Sequence, residues 1–346
     1  MAEEVSLAEE PDSLDWRSRL KASRGRLLLG MVVGGGALLL ACRGVDWPEL
    51  LASLRNIDGW WAFAALMTLS VSLVATATRW WLLFWPKSQE VRWWSLVAGI
   101  VAGQMVNVAI PARLGELVRI YFVGAREGLS RVKILSTIVV EKVTELGMFA
   151  VVVSMLLWMS ILPESLRRAG AASVAAALFG VVAATCIAFF GPLAVRLFDK
   201  VATRLPARIQ TFARRHVPAA VEGFLPLRNA RVAAGVWALA AVVVFGGVAT
   251  NWLLFKASRL DLPVSAALFL LVVLQVGEAP PSLPGKLGVF HYLVVLALSF
   301  FGVPRTPALA YAFVLYAVAV LPKLIAGAAI VALSRVLGGR RVMEES

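Results

Sequence analysis

Two arginines and a glutamate stand beside a proline in an apolar stretch and form the first candidate site. Arg113, Glu116 and Arg119 follow Pro111 and are spaced by three residues. Residues three apart lie on one side of a helix, so Glu116 can contact both arginines. The helix that resumes after the proline has free N–H groups and a positive dipole end at the break. The pattern predicts a pocket for a phosphate group. The alternative is that these residues form ion pairs that only stabilise the turn.

A second break has the same design and adds one cation and one carboxylate. Residues 278–285 include three prolines within five positions, which excludes a continuous helix. Glu278 precedes these prolines and Lys286 follows them, and both are predicted to belong to the binding site. A simple interface anchor is the alternative role of Lys286. His291 follows one helical turn later and is expected to be a packed histidine, with a proton relay as the alternative.

The third cluster lies inside the apolar run 134–162 and consists of Glu141, Lys142 and Glu145. Glu141 and Glu145 are one turn apart and share a helical face, whereas Lys142 is predicted to point elsewhere. One charge at the centre of a span costs roughly 2.5–3.5 kcal/mol on insertion scales, so the two carboxylates should face polar partners or water. Snorkelling of Glu141 and Lys142 to the membrane surface is the alternative.

Six residues are predicted to form the helix breaks that position these charges. Asn107 lies four residues before Pro111 and is able to satisfy backbone groups that the proline frees. The six are Asn107, Pro111 and Gly115 at the first break, and Pro284, Gly285 and Gly288 at the second.

The composition indicates the class of protein that carries these clusters. Of the 346 residues, 60% are apolar and only 16% are charged, and the mean hydropathy is +0.81. Soluble domains average roughly 45–50% apolar and about 25% charged residues. A soluble enzyme, a disordered chain and a disulfide scaffold are therefore excluded, and an integral membrane protein is predicted.

The net charge is strongly basic, with 34 Lys and Arg against 21 Asp and Glu, a formal value of +13. In a membrane protein this excess indicates positive-inside topology and contact with anionic lipid headgroups rather than with nucleic acid. Two His and two Cys are too few to predict a zinc site, and no cofactor is expected.

The hydropathy pattern predicts an all-α polytopic bundle of six full spans and two broken hairpins, since a span needs about 20 mostly apolar residues. Residues 1–26 form a polar cytoplasmic segment, and residues 27–335 form the transmembrane domain. A signal-peptide core with a lipoprotein-like cleavage site is the alternative for the first run, and the acidic leader argues against it. The full spans are 27–42, 59–84, 134–162, 171–193, 232–255 and 307–333, and the hairpins are 93–110 with 117–123 and 264–276 with 287–301.

An internal repeat relates the two breaks. Residues 110–115 and 283–288 both read aliphatic–Pro–x–basic–Leu–Gly, at an offset of 173 positions. Shorter matches at nearly the same offset flank them on both sides. The first span of unit one, about 59–162, runs opposite to the first span of unit two, about 232–333. The repeat is therefore predicted to be inverted, as in many secondary transporters.

The basic connection between the units sets the predicted orientation. Residues 193–231 carry eight Lys and Arg against two acidic residues. The positive-inside rule places this segment and both termini in the cytoplasm. Within it, residues 193–216 repeat apolar and basic positions every four residues, which predicts an amphipathic helix on the inner membrane surface, bound to anionic headgroups.

These motifs resemble those of the lysylphosphatidylglycerol synthase transmembrane, or flippase-like, family, over about residues 25–335. The first signature is Asn107-x-x-x-Pro111-x-Arg113-x-Gly115-Glu116-x-x-Arg119. The second is Glu141-Lys142-x-x-Glu145, with Lys and Glu where the family more often has Arg and Asp. The late Pro284-Gly285-x-x-Gly288 element lacks the glutamate that usually follows it, because Val289-Phe290-His291 stands there.

The resemblance implies a multi-pass protein of the bacterial inner membrane that moves a lipid between leaflets. The lipid is expected to carry a phosphate, as in aminoacylated phosphatidylglycerol or a polyprenyl- or hopanoid-type lipid. About a dozen residues follow the last span, so no synthase domain and no enzymatic aminoacyl transfer are expected. The phosphate is assigned to Arg113, Arg119 and Lys286, and charge balance or a cationic headgroup to Glu116, Glu141, Glu145 and Glu278.

Two other functions stay open at this point. One is a membrane partner or scaffold of a lipid- or glycan-synthesis enzyme. The other is an intramembrane lipid-modifying enzyme, with Glu141, Glu145 or His291 as its acid or base.

Overall fold

A computed structural model describes residues 31–109, 114–161, 164–202, 207–277 and 284–344. Within these ranges the chain forms twelve α-helices and three short 3₁₀ turns and contains no β-strand. The helices are α1 (Met31–Cys42), α2 (Trp47–Arg55), α3 (Gly59–Leu82), α4 (Trp93–Ala109), α5 (Gly115–Glu127), α6 (Arg131–Trp158), α7 (Glu164–Ala202), α8 (Ala207–Glu222), α9 (Ala230–Ala257), α10 (Val264–Gly277), α11 (Val289–Ser299) and α12 (Arg305–Glu344). The predicted all-α class is confirmed for this part of the chain.

Side-chain caps begin the first long helix of each predicted repeat unit. Asp58 accepts a hydrogen bond of 2.9 Å from the Trp60 N–H at the start of α3. Asn229 accepts from the N–H groups of Arg231 and Val232 at 3.0 and 3.3 Å at the start of α9. The first N–H groups of a helix have no partner within the helix, so these caps determine where α3 and α9 begin.

Four helices are long and apolar enough to cross a membrane: Gly59–Leu82, Arg167–Leu197, Ala230–Ala257 and Arg305–Ala329. α6 has 28 residues, about 42 Å at 1.5 Å per residue, but it carries Glu141, Lys142 and Glu145. The described part of α1 is shorter. The chain is therefore a multi-pass helical membrane protein, while its six full spans stay a prediction.

α3 and α9 form the most extensive helix pair among the described residues. Thr68 and Thr250 share a hydrogen bond of 2.6 Å across this pair. Gly246 lies so close to Ser72 that a Cβ there would come within 2.5 Å of the serine hydroxyl. Small residues let two helices approach closely. In lipid there is no hydrophobic effect to bring helices together, so this close packing drives their association. The pair forms the centre of the bundle.

Two helical hairpins pack on this central pair. α4 contacts α5, and α10 contacts α11. These helices have 17, 13, 14 and 11 residues, at most about 26 Å, which is less than the roughly 30 Å hydrocarbon core. α4 also contacts α12, and α10 contacts α6. Each hairpin thus packs on the last helix of the other predicted unit.

Each hairpin belongs to its own apolar core. The first core surrounds α4 and α5 and includes Trp80, Leu96 and Ile134, which are completely buried. The second core surrounds α10, α11 and α12 and includes Phe269 and Leu298. Because α5 and α6 carry most of the predicted charges, these charges lie beside the first core.

α7 extends beyond its predicted end. The sequence predicts a span that stops at residue 193, yet the helix continues to Ala202 with Pro192 inside it. A proline is tolerated within a spanning helix where neighbouring helices support it, and α6 and α8 both pack on α7. The predicted surface helix 193–216 is therefore divided between the end of α7 and α8, and Pro206 lies outside the described residues.

Candidate functional site

α5 and α6 meet at a buried ion pair between Arg119 and Glu141. Arg119 Nη1 donates to Glu141 Oε1 at 3.0 Å, and Nη2 donates to Oε2 at 2.6 Å, so the pairing is bidentate. Only 6% of Arg119 and 1% of Glu141 is exposed. Buried charges are costly unless they are paired with good geometry, and this pair meets that condition. Glu141 therefore faces inward and does not snorkel.

Arg79 of α3 completes this cluster and was not among the predicted site residues. Its Nη2 lies 2.5 Å from Glu145 Oε1 and 3.7 Å from Glu141 Oε1, and the side chain is completely buried. A signal was present in the sequence, because Arg79 lies inside the predicted span 59–84. Its place near the end of that span, close to Lys87 and Arg92, instead favours the basic residues of the inner surface. A charge within a span is by default a functional position.

Lys142 joins Glu145 and Glu116 on the more exposed side of the cluster. Its Nζ lies 2.9 Å from Glu145 Oε2 and 3.9 Å from Glu116 Oε1. The expectation that Lys142 points away is wrong, because its long side chain reaches back across one helical turn. Glu116 lies near Lys142, while the terminal nitrogens of Arg119 both bind Glu141. The expected contact of Glu116 with Arg113 falls outside the described residues.

The ring of Trp80 packs against Arg119. The guanidinium carbon lies 4.1 Å from the ring centroid, and Trp80 Nε1 donates to Thr137 Oγ1 at 3.0 Å. A desolvated cation over a tryptophan face gains about 2 kcal/mol from the ring quadrupole. Clustered tryptophans such as Trp80-Trp81 predict a belt at the membrane interface, and for Trp80 this prediction is wrong because the residue is completely buried. Trp60 and Trp94, by contrast, are mostly exposed.

The first break brings α4 and α5 into backbone contact. Asn107 Oδ1 accepts a hydrogen bond of 2.7 Å from the Gly115 N–H, which satisfies one of the free donors at the start of α5. A Cβ on Gly115 would overlap the Gly103 carbonyl oxygen, and one on Gly103 would lie 2.7 Å from the Gly115 carbonyl oxygen. Both glycines therefore set the spacing of this hairpin. Pro111 and Arg113 lie outside the described residues.

The second break contains three residues with left-handed backbone conformation. Gly285, Lys286 and Gly288 have φ values of 72°, 59° and 85°. Glycine adopts this region most readily, which accounts for two of the three positions. Pro284 begins the 3₁₀ turn that ends at Lys286. A Cβ on Gly288 would overlap the Gly34 carbonyl oxygen, so α1 packs directly on the start of α11.

The charged cluster lines a cavity of about 530 Å³ between the two hairpins and the long helices. We call it the charged cavity. Its volume is typical of small-molecule sites, which range over about 300–1,000 Å³. Glu278 lies outside the described residues, as does Arg113. The other five predicted headgroup residues line the charged cavity: Glu116, Arg119, Glu141, Glu145 and Lys286.

Five further polar residues of this lining were not predicted: Thr76, Gln104, Lys142, Gln275 and Lys323. With Lys142 and Lys323 included, the described lining holds four cations and three carboxylates, so it favours an anion slightly. Lys323 could have been found in the sequence, because it lies within the last predicted span. Among the described residues, no group of three or more His, Cys, Asp or Glu could hold a metal ion.

His291 is packed within the second hairpin and does not line the charged cavity. It is completely buried, and its ring centroid lies 4.7 Å from that of Phe313 and 5.1 Å from that of Tyr316. Neither ring nitrogen has a hydrogen-bond partner in the part of the chain that the structure describes.

The fold and the site define a multi-pass helical membrane protein with a buried, charged cavity. The family model of the lysylphosphatidylglycerol synthase TM region matches residues 27–327, nearly the whole chain. The chain therefore belongs to this family, as its motifs indicated. Neither a curated protein nor a solved structure gives a match. Family membership indicates a membrane protein with a lipid-related function.

Proposed function

We propose that this protein moves a phosphate-bearing lipid between the leaflets of the bacterial inner membrane. The observation that carries the proposal is the charged cavity inside a membrane domain. Ionisable groups at this depth are costly, and they mark substrate paths and ion relays. A lipid headgroup needs such a polar path while its chains stay in the bilayer. Aminoacylated phosphatidylglycerol and polyprenyl- or hopanoid-type lipids are the candidate substrates.

The charges of the cavity divide into an inner and an outer set. The inner set is the almost completely buried pair of Arg119 and Glu141, which positions α5 against α6. The outer set includes Lys142, Glu116 and Glu145, whose side chains are 45%, 36% and 29% exposed. The outer set is accessible to a ligand, so Lys142 can donate to oxygens of a headgroup and the glutamates can bind a cationic substituent.

In this proposal the conformational change that moves the lipid comes from the two units of the inverted repeat. α4 packs on α12 and α10 packs on α6, an exchange expected for two units related by a two-fold axis. In this proposal the two hairpins approach the charged cavity from opposite sides of the membrane and open in turn. Both termini then lie in the cytoplasm.

A leaflet assay with purified protein in liposomes tests the proposal. Labelled phosphatidylglycerol and labelled lysylphosphatidylglycerol are followed with a membrane-impermeant quencher. The double variant Glu116→Gln with Lys142→Gln is expected to slow flipping about tenfold or more, because charge-assisted hydrogen bonds are lost. The control is Lys87→Gln, whose side chain is 66% exposed and lies outside the cavity lining. Flipping no faster than in protein-free liposomes would contradict the proposal.

Two related measurements separate the alternatives. Conversion of the labelled headgroup during incubation would favour a lipid-modifying enzyme that uses Glu141 or Glu145 as acid or base. Loss of a synthesis enzyme from deletion membranes, with normal lipid flipping, would favour a scaffold.

A further inference from the structure

A second cavity, of about 310 Å³, adjoins the charged cavity and forms a groove between α3, α4, α9 and α12. We call it the α3–α12 groove. Four residues line both spaces and define the neck between them: Thr76, Gln104, Val243 and Lys323. The two cavities therefore lie on either side of the same four residues, the charged cavity on one side and the groove on the other.

The walls of the α3–α12 groove are apolar. Ser70, Ser72 and Thr76 lie along its α3 wall, but each hydroxyl donates to the carbonyl four residues earlier in α3, at 3.1, 2.9 and 2.8 Å. These hydroxyls are therefore already satisfied within the helix. The apolar lining includes Leu66, Leu69, Leu73, Val101, Val318 and Ala319.

The dimensions of the groove suit one hydrocarbon chain. The ten residue-to-residue steps from Leu66 to Thr76 correspond to about 15 Å along α3, or half of the roughly 30 Å hydrocarbon core. Ser70 of α3 and Ala326 of α12 also line the groove and are exposed on the bundle surface. The groove therefore opens sideways, toward lipid, between α3 and α12.

Lys323 places a positive charge where the groove meets the charged cavity. An ammonium group within a spanning helix is costly and indicates a functional position. It has three N–H donors, so a ligand oxygen can bind beside any protein partner. A charged neck at the end of an apolar groove is complementary to a lipid phosphate and its chain. Bulk bilayer lipid has no phosphate at this depth.

We propose that the α3–α12 groove holds one hydrocarbon chain of the lipid substrate and that Lys323 binds its phosphate at the neck. The rest of the headgroup lies in the charged cavity, among Glu116 and Glu145. The inference rests on the proposed function for the nature of the substrate and adds how it is held. A single-chain polyprenyl phosphate and a two-chain phosphatidyl lipid share this chemistry.

Photo-crosslinking on the full-length protein in nanodiscs tests the groove. The probe is a phosphatidate with a photoactivatable group at the end of one acyl chain, and crosslinked peptides are mapped by mass spectrometry. We expect crosslinks on α3 and α12, at Leu69, Leu73 and Val318. Lys323→Gln is expected to lower them about tenfold or more for phosphatidate, through loss of a charge-assisted hydrogen bond, and to leave those of the matching diacylglycerol unchanged.

Bulky residues in the groove provide the second measurement. Ala319→Trp fills the groove, and Ala326→Trp blocks its exposed edge with less risk to folding. Both are expected to abolish the α3 crosslinks. The control is Val182→Trp on α7, whose side chain is 59% exposed. Crosslinks spread equally over α7 and α3, and unchanged by Ala326→Trp and Lys323→Gln, would show only bulk lipid and overturn the proposal.

Competing lipids show which of the two lipid types occupies the groove. Comparison of crosslinking with lipid flipping tests the groove and the proposed function separately. Displacement of the probe by unlabelled polyprenyl phosphate or by phosphatidylglycerol supports the groove and names its occupant, and displacement by neither overturns it. Specific crosslinks in a protein that does not flip lipid would support the proposed groove and contradict the proposed translocase function. Lipid flipping that is unchanged in the Lys323→Gln and Ala326→Trp variants would support the proposed translocase function and contradict the proposed groove.

Discussion

The two hairpins hold equivalent places in the helix order but differ in the chemistry that attaches them to the next helix. α5 is joined to α6 by the bidentate ion pair of Arg119 and Glu141. α11 is joined to α12 by packing of His291 against Phe313 and Tyr316. The first hairpin is therefore held by a buried ion pair and the second by neutral aromatic rings, while two cations of the second unit, Lys286 and Lys323, lie at the charged cavity.

The first long helices of the two units show the same difference. Arg79 of α3 pairs with Glu145, whereas Asn251 holds the matching place in the predicted repeat on α9. Asn251 is also buried, but its amide donates to the Ala267 carbonyl of the following hairpin at 3.4 Å. A polar group is present at both places, while the charge is present at one. The first unit should therefore be far more sensitive to substitution.

The largest effect is expected from Glu141→Ala. It leaves Arg119 and Arg79 buried with one carboxylate fewer, and removal of one partner of a buried pair costs about 3–5 kcal/mol. The free energy of unfolding in mixed micelles measures the loss. The control combines Arg119→Met with Glu141→Leu, which should recover most of the stability without restoring lipid flipping. A loss below about 1 kcal/mol, the level of an exposed ion pair, would contradict a stabilising role of the pair.

A smaller effect is expected from Gly115→Ala in the first hairpin. The added methyl group would overlap the Gly103 carbonyl oxygen and push α4 and α5 apart, at a cost of about 1–3 kcal/mol. The matched control is Gly180→Ala in α7, where a Cβ has nothing within 4 Å and the helix should gain slightly. Unfolding in mixed micelles compares the two. Equal stability of both variants would show that the backbones are less close than described.

A loss of about 1 kcal/mol is expected from Trp80→Phe. The change removes the hydrogen bond to Thr137 and weakens the cation–π contact with Arg119. Trp60→Phe is the control, since Trp60 is 71% exposed and should tolerate the change. Thermal unfolding and lipid flipping are measured together. An identical response of both variants would place Trp80 in an interface belt after all.

The smallest effect is expected from His291→Leu in the second hairpin. A swap of similar volume costs at most about 1.5 kcal/mol, and removal of ring nitrogens that lack partners among the described residues offsets this cost, so the net change should be close to zero. Lipid flipping should therefore be unchanged. Abolished flipping in a stably folded variant would show that His291 relays protons, and the second hairpin would then share the chemistry of the first.

Several site residues could be found in the sequence because their signal is local. Glu141 and Glu145 interrupt an apolar run, and a charge within a span is expected to face inward. Pro111 and the closely spaced prolines of 278–285 indicate the breaks because each proline removes a backbone donor and disfavours a continuous helix. The five described headgroup residues accordingly line one cavity, although their binding of a lipid stays a prediction.

Other site residues were assigned wrongly or missed because their roles depend on distant partners. Arg79 and Glu145 are 66 positions apart, and Trp80 and Thr137 are 57 apart. Nothing in the local pattern distinguishes a buried tryptophan near a helix end from one in an interface belt. The sequence separates the span 171–193 from the surface helix 193–216, whereas one helix, α7, runs through residue 193 to Ala202 and packs on α6 and α8.

The sequence by itself determined the membrane class, the two breaks and the presence of charge at membrane depth, because each follows from local composition and backbone chemistry. Only the tertiary structure decided that Arg119 binds Glu141, that Arg79 joins them, and that Lys323 stands at the neck of a groove. The physical reason is that a helix that is apolar on all sides does not show in its sequence which face packs against which neighbour. The pairing of buried charges depends on that packing, since each charge is stable only beside a partner.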